Sequence, residues 1–245
     1  MSFSMIALVS TTIAARAQTP TADQLLAKID AQLHYESRTS RVRMTVVNAR
    51  RTREFEMVTF GRGADDAAIE YVSPERDKGT KMLKKADELW MYLPSVERVQ
   101  KISGHMLREG MMGSDVSYED MMNNAELRKS YTAKVTGENT VDGRKCWTLE
   151  LVATTAEVTY PKRVSCVDEE TFIPLSQELF ALSGMLLKSW TMSDIRKEGD
   201  RWVPYRMRIV DALQQGSYTE IVILESKFGV DLPEEVFTTR WLERI

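Results

Sequence analysis

Along this chain the spacing of apolar positions changes twice. Leu25, Leu26, Ile29 and Leu33 fall on one helical face, behind a capping-box pattern, Thr21-Ala22-Asp23-Gln24, with Pro20 just before it. The spacing predicts an amphipathic helix over roughly Ala22 to His34. The period then becomes two. Val42, Met44 and Val46 alternate with Arg41, Arg43 and Thr45, and Glu54 to Phe60 continues the alternation past a turn at Asn48 to Arg51. Segments 67–72, 81–84, 88–93 and 98–102 follow, punctuated by Asp65-Asp66, Asp77-Lys78-Gly79 and Pro94-Ser95. Short alternating strands between turn residues predict an antiparallel meander. A second series of strands is expected at 131–136, 146–152, 163–168, 175–182, 185–194, 202–211 and 218–225. Val141-Asp142-Gly143, Glu198-Gly199-Asp200 and Gln215-Gly216 serve as hairpin turns. From Leu232 a short closing segment is expected. The chain reads as mainly β with a few helices, in one domain over 18–245, with no linker and no internal repeat.

Between the two strand series, Gly104 to Asn124 follows neither period. Ser117-Tyr118-Glu119-Asp120 fits the start of a short helix. Met106, Met111, Met112, Met121 and Met122 fall within 17 residues here, flanked by Gly104, Gly110 and Gly113. Methionine is unbranched and polarizable and suits surfaces that accommodate variable apolar shapes. The pattern points to an apolar lid, the plain alternative being core filler under a loop. Just before it, Leu89-Trp90-Met91-Tyr92-Leu93 is apolar at every position, whereas a strand of an open antiparallel sheet usually has one wet face. Both faces of this strand must be covered, and the lid and the first helix are the candidates. A larger core without a cavity explains the run equally well.

Composition narrows the function. The chain has 245 residues and a formal net charge of −3, or −4 once Arg16 is removed with the leader described next. That balance lacks the basic footprint of a nucleic-acid binder. Met5 to Ile13 is an apolar run too short to span a bilayer, and Ala15-Arg16-Ala17 fits a small-x-small cleavage site. Residues 1–17 are therefore read as a signal peptide, although no Lys or Arg precedes the run. The mature chain would begin at Gln18, exported to the periplasm, soluble and without a lipid-anchoring cysteine. The two cysteines, Cys146 and Cys166, form no CxxC pair. Export favours a disulfide. Strand parity favours free thiols, because Cys146 lies opposite the Trp147, Leu149 and Leu151 face while Cys166 is expected on the apolar side; a bulge would restore the pairing.

Catalytic patterns are missing. The two histidines, His34 and His105, are far apart in sequence, and no HExxH, GxSxG or phosphate-binding glycine loop occurs. No metal or cofactor is expected. Arg38, Arg41, Arg43, Arg50, Arg51 and Arg53 form a local basic cluster. Arg41 and Arg43 alternate with apolar residues, so they are read as a solvated outer strand face, or as a surface for an acidic partner or anionic lipid.

Two blocks in order, Leu89-Trp90-Met91-Tyr92-Leu93-Pro94-Ser95-Val96-Glu97-Arg98-Val99 and Gly113-Ser114-Asp115-Val116-Ser117-Tyr118-Glu119-Asp120-Met121, resemble the signature of the outer-membrane lipoprotein-sorting, LolA-like family. Leu232-Pro233-Glu234-Glu235-Val236-Phe237-Thr238 resembles that family's ending, and the likeness runs over essentially the whole mature chain. It implies an unclosed antiparallel β-barrel with helices packed in its concave side around an apolar cavity. It also implies a periplasmic carrier for a lipid or lipoprotein acyl anchor, serving transport towards the outer membrane beside an RND-superfamily transporter of the inner membrane. A monomer without enzymatic activity is expected. Combining the lid reading with the resemblance, Trp90, Tyr92, Met106, Leu107, Met111, Met112, Tyr118, Met121 and Met122 are expected to form the cargo site and its lid. Two other classes remain: a binding subunit that modulates an envelope transporter without carrying lipid, and an envelope hydrolase using His105.

Overall fold

A computed structural model describes residues 19–122, 127–156 and 158–244. The segment read as a signal peptide lies outside them, as do Asn123, Asn124 and the side chain of Leu33.

Helix α1 (Ala22–Leu33) begins with the expected capping box, in which Thr21 Oγ1 accepts from the Gln24 amide and Gln24 Oε1 from the Thr21 amide. Six strands follow: β1 (Ser37–Val47), β2 (Thr52–Arg62), β3 (Asp66–Ser73), β4 (Lys81–Lys85), β5 (Glu88–Leu93) and β6 (Arg98–Ile102). A segment of short helical turns holds α2 (Tyr118–Met122) and α3 (Leu127–Ser130). The second series is β7 (Tyr131–Val141), β8 (Arg144–Ala153), β9 (Lys162–Asp168), β10 (Pro174–Phe180), β11 (Leu186–Glu198), β12 (Arg201–Asp211) and β13 (Tyr218–Phe228). A tail carrying α4 (Thr239–Leu242) closes the chain. The hairpin between β7 and β8 turns at Asp142-Gly143, both at positive φ, as a tight turn matched to strand twist requires.

The thirteen strands of the described residues form one antiparallel sheet, ordered β6-β5-β4-β3-β2-β1-β13-β12-β11-β10-β9-β8-β7. The two meanders join at the β1–β13 ladder, where Met44 faces Ile221. The sheet does not close, and its edges are β6 and β7, the two strands that flank the helical segment in sequence. One face, here called inner, carries two apolar clusters. The larger gathers Val42, Met44, Phe55, Met57, Tyr71, Met82 and Met91 with Tyr205 and Ile223. The second packs Leu25, Leu26 and Ile29 of α1 on Tyr131, Leu149, Leu151 and Val167. α1 therefore covers the β7–β9 region and not β5, which removes it as a candidate cover of that strand.

The outer face of β5 is covered by the C-terminal tail instead. Val236, Phe237, Trp241 and Leu242 pack on Ala68, Leu83 and Tyr92, with Trp90 against the same cluster. Phe60 meets Trp241 edge-on at 6.4 Å. Lys81, buried in this layer, donates to the carbonyls of Trp241 (3.2 Å) and Arg244 (2.6 Å), so its ammonium ties down the last helical turn. The family-like ending Leu232 to Thr238 thus serves to cover an otherwise bare apolar strip.

The cysteines are bridged, which corrects the free-thiol expectation. Cys146 faces Asp168 and Cys166 faces Thr148 in an unbroken β8–β9 ladder, leaving the two as diagonal neighbours on one face, their Cα atoms 5.4 Å apart. The parity of Cys146 is as read from the sequence. The placement of Cys166 on the apolar inner side is not: Val167 takes that side, while Cys166 joins Cys146 and Leu175 in a small outer cluster.

Candidate functional site

The methionine-rich segment lies over the inner face of the first meander. Its chain folds back on itself: Gly110 bridges Ser117, the Met111 amide donates to the Val116 carbonyl (2.7 Å), and the Tyr118 amide to the Glu109 carbonyl (3.1 Å). The reversal brings the Ser114 carbonyl so close to Gly110 that any Cβ there would sit 2.0 Å from its oxygen, so glycine is obligatory. α2 then starts with a reciprocal cap. Ser117 Oγ accepts from the Asp120 amide and Asp120 Oδ2 from the Ser117 amide.

The structure brings seven of the nine expected site residues together. Met111 (5% exposed) and Tyr118 (8%) are part of the larger inner cluster, and Met106, Leu107, Met112, Met121 and Met122 pack against it half-buried. Tyr118 Oη donates to Met91 Sδ at 3.3 Å. Trp90 and Tyr92 do not join them, a correction set by the pleat. Leu89, Met91 and Leu93 of β5 face the inner cluster, so Trp90 and Tyr92 face the C-terminal tail on the other side.

What holds the segment down is polar. The Asp115 carboxylate is buried and accepts from Ser217 Oγ (2.7 Å) and Thr219 Oγ1 (2.6 Å), while the Asp115 amide donates to Thr219 Oγ1 (2.9 Å). Asp120 is almost fully enclosed. It meets Lys188 Nζ at 2.5 Å and accepts from Tyr160 Oη at 2.6 Å, with side-chain exposures of 4% for Asp120 and 11% for Lys188. Burial, then the adjacent Asp120 charge, pushes the Tyr160 phenol well above its ordinary range, so it stays a donor. Arg53 of β2 donates to the Gly113 carbonyl (3.1 Å). Asp115 and Asp120 of the Gly113 to Met121 block are therefore anchors, while its Tyr118 and Met121 lie against the inner face.

Sequence reasoning missed the partners of these anchors. Lys188, Tyr160, Ser217 and Thr219 lie 40 to 104 residues from the aspartates they bind, and no local pattern marks them. His105, the candidate base of the hydrolase reading, is exposed in a short helical turn, Gly104–Arg108. Among the described residues no cluster of His, Cys, Asp or Glu is placed to hold a metal, and no helix is long and apolar enough to cross a membrane.

The family described as "-like: Uncharacterized protein" matches residues 63–244 of this chain. Solved structures of similar fold include a DUF1329 family protein from Desulfovibrio piger ATCC 29098, 25% identical with a TM-score of 0.84, covering 90% of this chain and 97% of that one. A candidate outer membrane lipoprotein-sorting protein domain from Vibrio parahaemolyticus is 24% identical with a TM-score of 0.80, over 91% of this chain and all (100%) of that one. A LolA superfamily protein from Nitrosomonas europaea is 22% identical with a TM-score of 0.73, again over 91% and 100%. No curated protein matches the sequence.

Proposed function

For a chain that belongs to the family matched over residues 63–244 and has the LolA-like fold, we propose a non-catalytic carrier role in the periplasm. The protein binds a lipid or a lipoprotein acyl anchor between the methionine segment and the inner face of the open sheet. The observation that carries this reading is the half-buried packing of Met106, Leu107, Met112, Met121 and Met122 on an apolar sheet face, in a segment tied down by polar anchors. An acyl chain needs such a bed. Burial is worth about 0.8 kcal/mol per CH₂, so a 16-carbon chain costs on the order of 12 kcal/mol to leave in water. A carrier must offset most of that and still release its load. Methionines re-pack without fixed shape, so such a bed can take up and give up chains of different shape.

The donor and acceptor belong to the same proposal: an RND-type inner-membrane transporter on one side and the outer membrane on the other. The test is mass spectrometry of organic extracts from protein purified out of its native periplasm. Stoichiometric acyl lipid or lipopeptide is the expected result. Protein that carries none, and takes up no fluorescent fatty acid, would favour a modulatory subunit and sink the carrier reading.

A further inference from the structure

At the end of the inner face away from the β1–β2 turn, two arginines stand where an apolar bed should end in apolar residues. The ladder pairs Arg38 of β1 with Phe228 of β13, and strand alternation puts Arg38 on the same face as Val42 and Met44. Arg201 of β12 shares its face with Val203 and Tyr205, both in the larger inner cluster. The two guanidinium groups converge on one ring, lying 5.1 Å and 5.8 Å from the Phe228 centroid. Phe228 itself packs against the inner cluster, so the arginines sit at the rim of the proposed acyl bed.

Among the described residues neither arginine has an anion. Arg38 spends Nε on the hydroxyls of Ser40 (2.9 Å) and Ser226 (3.1 Å) and forms no ion pair. Arg201 Nη1 is buried with no hydrogen-bond partner. Glu198 is the cross-strand neighbour of Arg201, but it accepts from Tyr205 Oη at 2.7 Å and makes no ion pair with the arginine. Arg196, stacked on the Tyr205 ring, is already paired with Asp194 at 2.7 Å. Burial lowers the pKa of Arg38, with only the Tyr35 and Tyr205 phenols acting against it. Two like charges gathered on one ring, part-desolvated and without a carboxylate contact, are costly unless something anionic completes them.

We propose that Arg38 and Arg201 form a site for the anionic headgroup, carboxylate or phosphate, of the amphiphile whose chain lies on the inner face. The planar guanidinium fork matches both oxyanions. The remaining donors of Arg38 and the orphan Nη1 of Arg201 supply the hydrogen bonds, and Phe228 separates the charge from the apolar bed. This deepens the carrier proposal and rests on it for the source of the headgroup.

The mature protein is titrated with a fluorescent fatty acid, with its methyl ester, and with inorganic phosphate followed by thermal shift. Wild type should bind the acid about tenfold more tightly than the ester and gain melting temperature with phosphate. In Arg38→Gln/Arg201→Gln the acid should fall to the affinity of the ester, with ester binding unchanged, and the phosphate shift should vanish. Arg201→Gln alone gives the same direction at smaller size if the double variant does not fold, and the wild-type phosphate shift needs no variant. Equal binding of acid and ester by wild type, or a preference that survives the double variant, overturns the headgroup site and leaves the carrier reading standing. If neither lipid binds, the carrier reading falls. Phosphate then decides the site alone: a shift lost on mutation supports it as a free-anion site, and no shift overturns it.

Discussion

Replacing Asp120 by alanine should lift the methionine segment off the sheet without unfolding the sheet. Its carboxylate serves Lys188, Tyr160 and the Ser117 amide at once, at 2.5, 2.6 and 2.8 Å. Deleting it orphans a lysine whose side chain is only 11% exposed. Breaking one side of a buried ion pair costs about 3–5 kcal/mol, most of it from the charge left behind. Here that cost falls on docking of the segment, because the strand ladders do not pass through Asp120. At about 1.4 kcal/mol per factor of ten, even the lower figure raises the undocked population by roughly a hundredfold. Native-state hydrogen exchange reads this directly at the amides of Met111, Asp115 and Tyr118, which donate to Val116, Thr219 and Glu109. Their protection should fall by about two orders of magnitude while β1 and β13 amides keep theirs. Asp120→Ala/Lys188→Met should recover part of the loss, since no buried ammonium remains unpaired, giving a positive coupling in the cycle. Unchanged protection in Asp120→Ala, or losses that simply add in the double variant, would refute the view that this pair holds the segment.

The methionines should divide by burial: Met111→Ser should lower stability by about 2–5 kcal/mol as a core loss, whereas Met112→Ser/Met121→Ser should mainly weaken fatty-acid binding, with thermal melts and fluorescence titration as the two readouts. Cys146→Ala/Cys166→Ala should cost roughly 2–4 kcal/mol in denaturant melts, and non-reducing peptide maps should show the two cysteines linked. Asp168 is buried, which opposes ionisation, but hydrogen bonds from Arg144 and Thr171 hold its carboxyl below the ordinary range. Its contribution is therefore fully present above about pH 4, the ordinary aspartate value, and is lost as pH falls through the lower folded value. Acid melts of Asp168→Asn should show a flatter limb below that point, and a wild-type-like limb would exclude the linkage.

Legibility in the sequence followed the range of the interactions. α1, its cap and every strand were readable because apolar periodicity and turn residues are local signals, and observed strand ends differ from the expected ones by a few residues. α3, four residues long, leaves too short a pattern to read. The methionine segment was read correctly as one cover of β5, but the other cover depended on contacts across the fold and was read incorrectly. That β5 is apolar throughout correctly demanded two covers. Nothing local said that the second is the tail around Phe237 and Trp241, about 140 residues further along. Cys166 was misplaced for a related reason: Val164 and Cys166 look like inner residues until the outer face is seen to hold a small apolar cluster of its own, Cys146, Cys166 and Leu175.

The anchors also explain why this segment and the open edge belong together. It runs from β6 to β7, the two unpaired edges of the sheet, and at 28 residues it has slack enough to impose nothing by length alone. The coupling comes from where it is fixed. Arg53 and Met91 hold it to the first meander, while Lys188, Ser217 and Thr219 hold it to the second. Both sets must let go for the segment to leave the inner face. Met111 and Tyr118 are buried in the inner cluster and the segment's other apolar side chains are half-buried, so apolar contacts and the buried carboxylates hold it down together. On the carrier proposal, an acyl chain entering beneath the segment would replace methionine contacts with methylene contacts of similar worth, but would do nothing for Asp115 or Asp120. Release of the polar anchors is then, on the same proposal, part of the barrier to loading, and an anchor variant should load faster at nearly unchanged acyl affinity. Stopped-flow uptake of a fluorescent fatty acid by Asp120→Ala tests this: a rate equal to wild type would mean that the chain enters without displacing the segment.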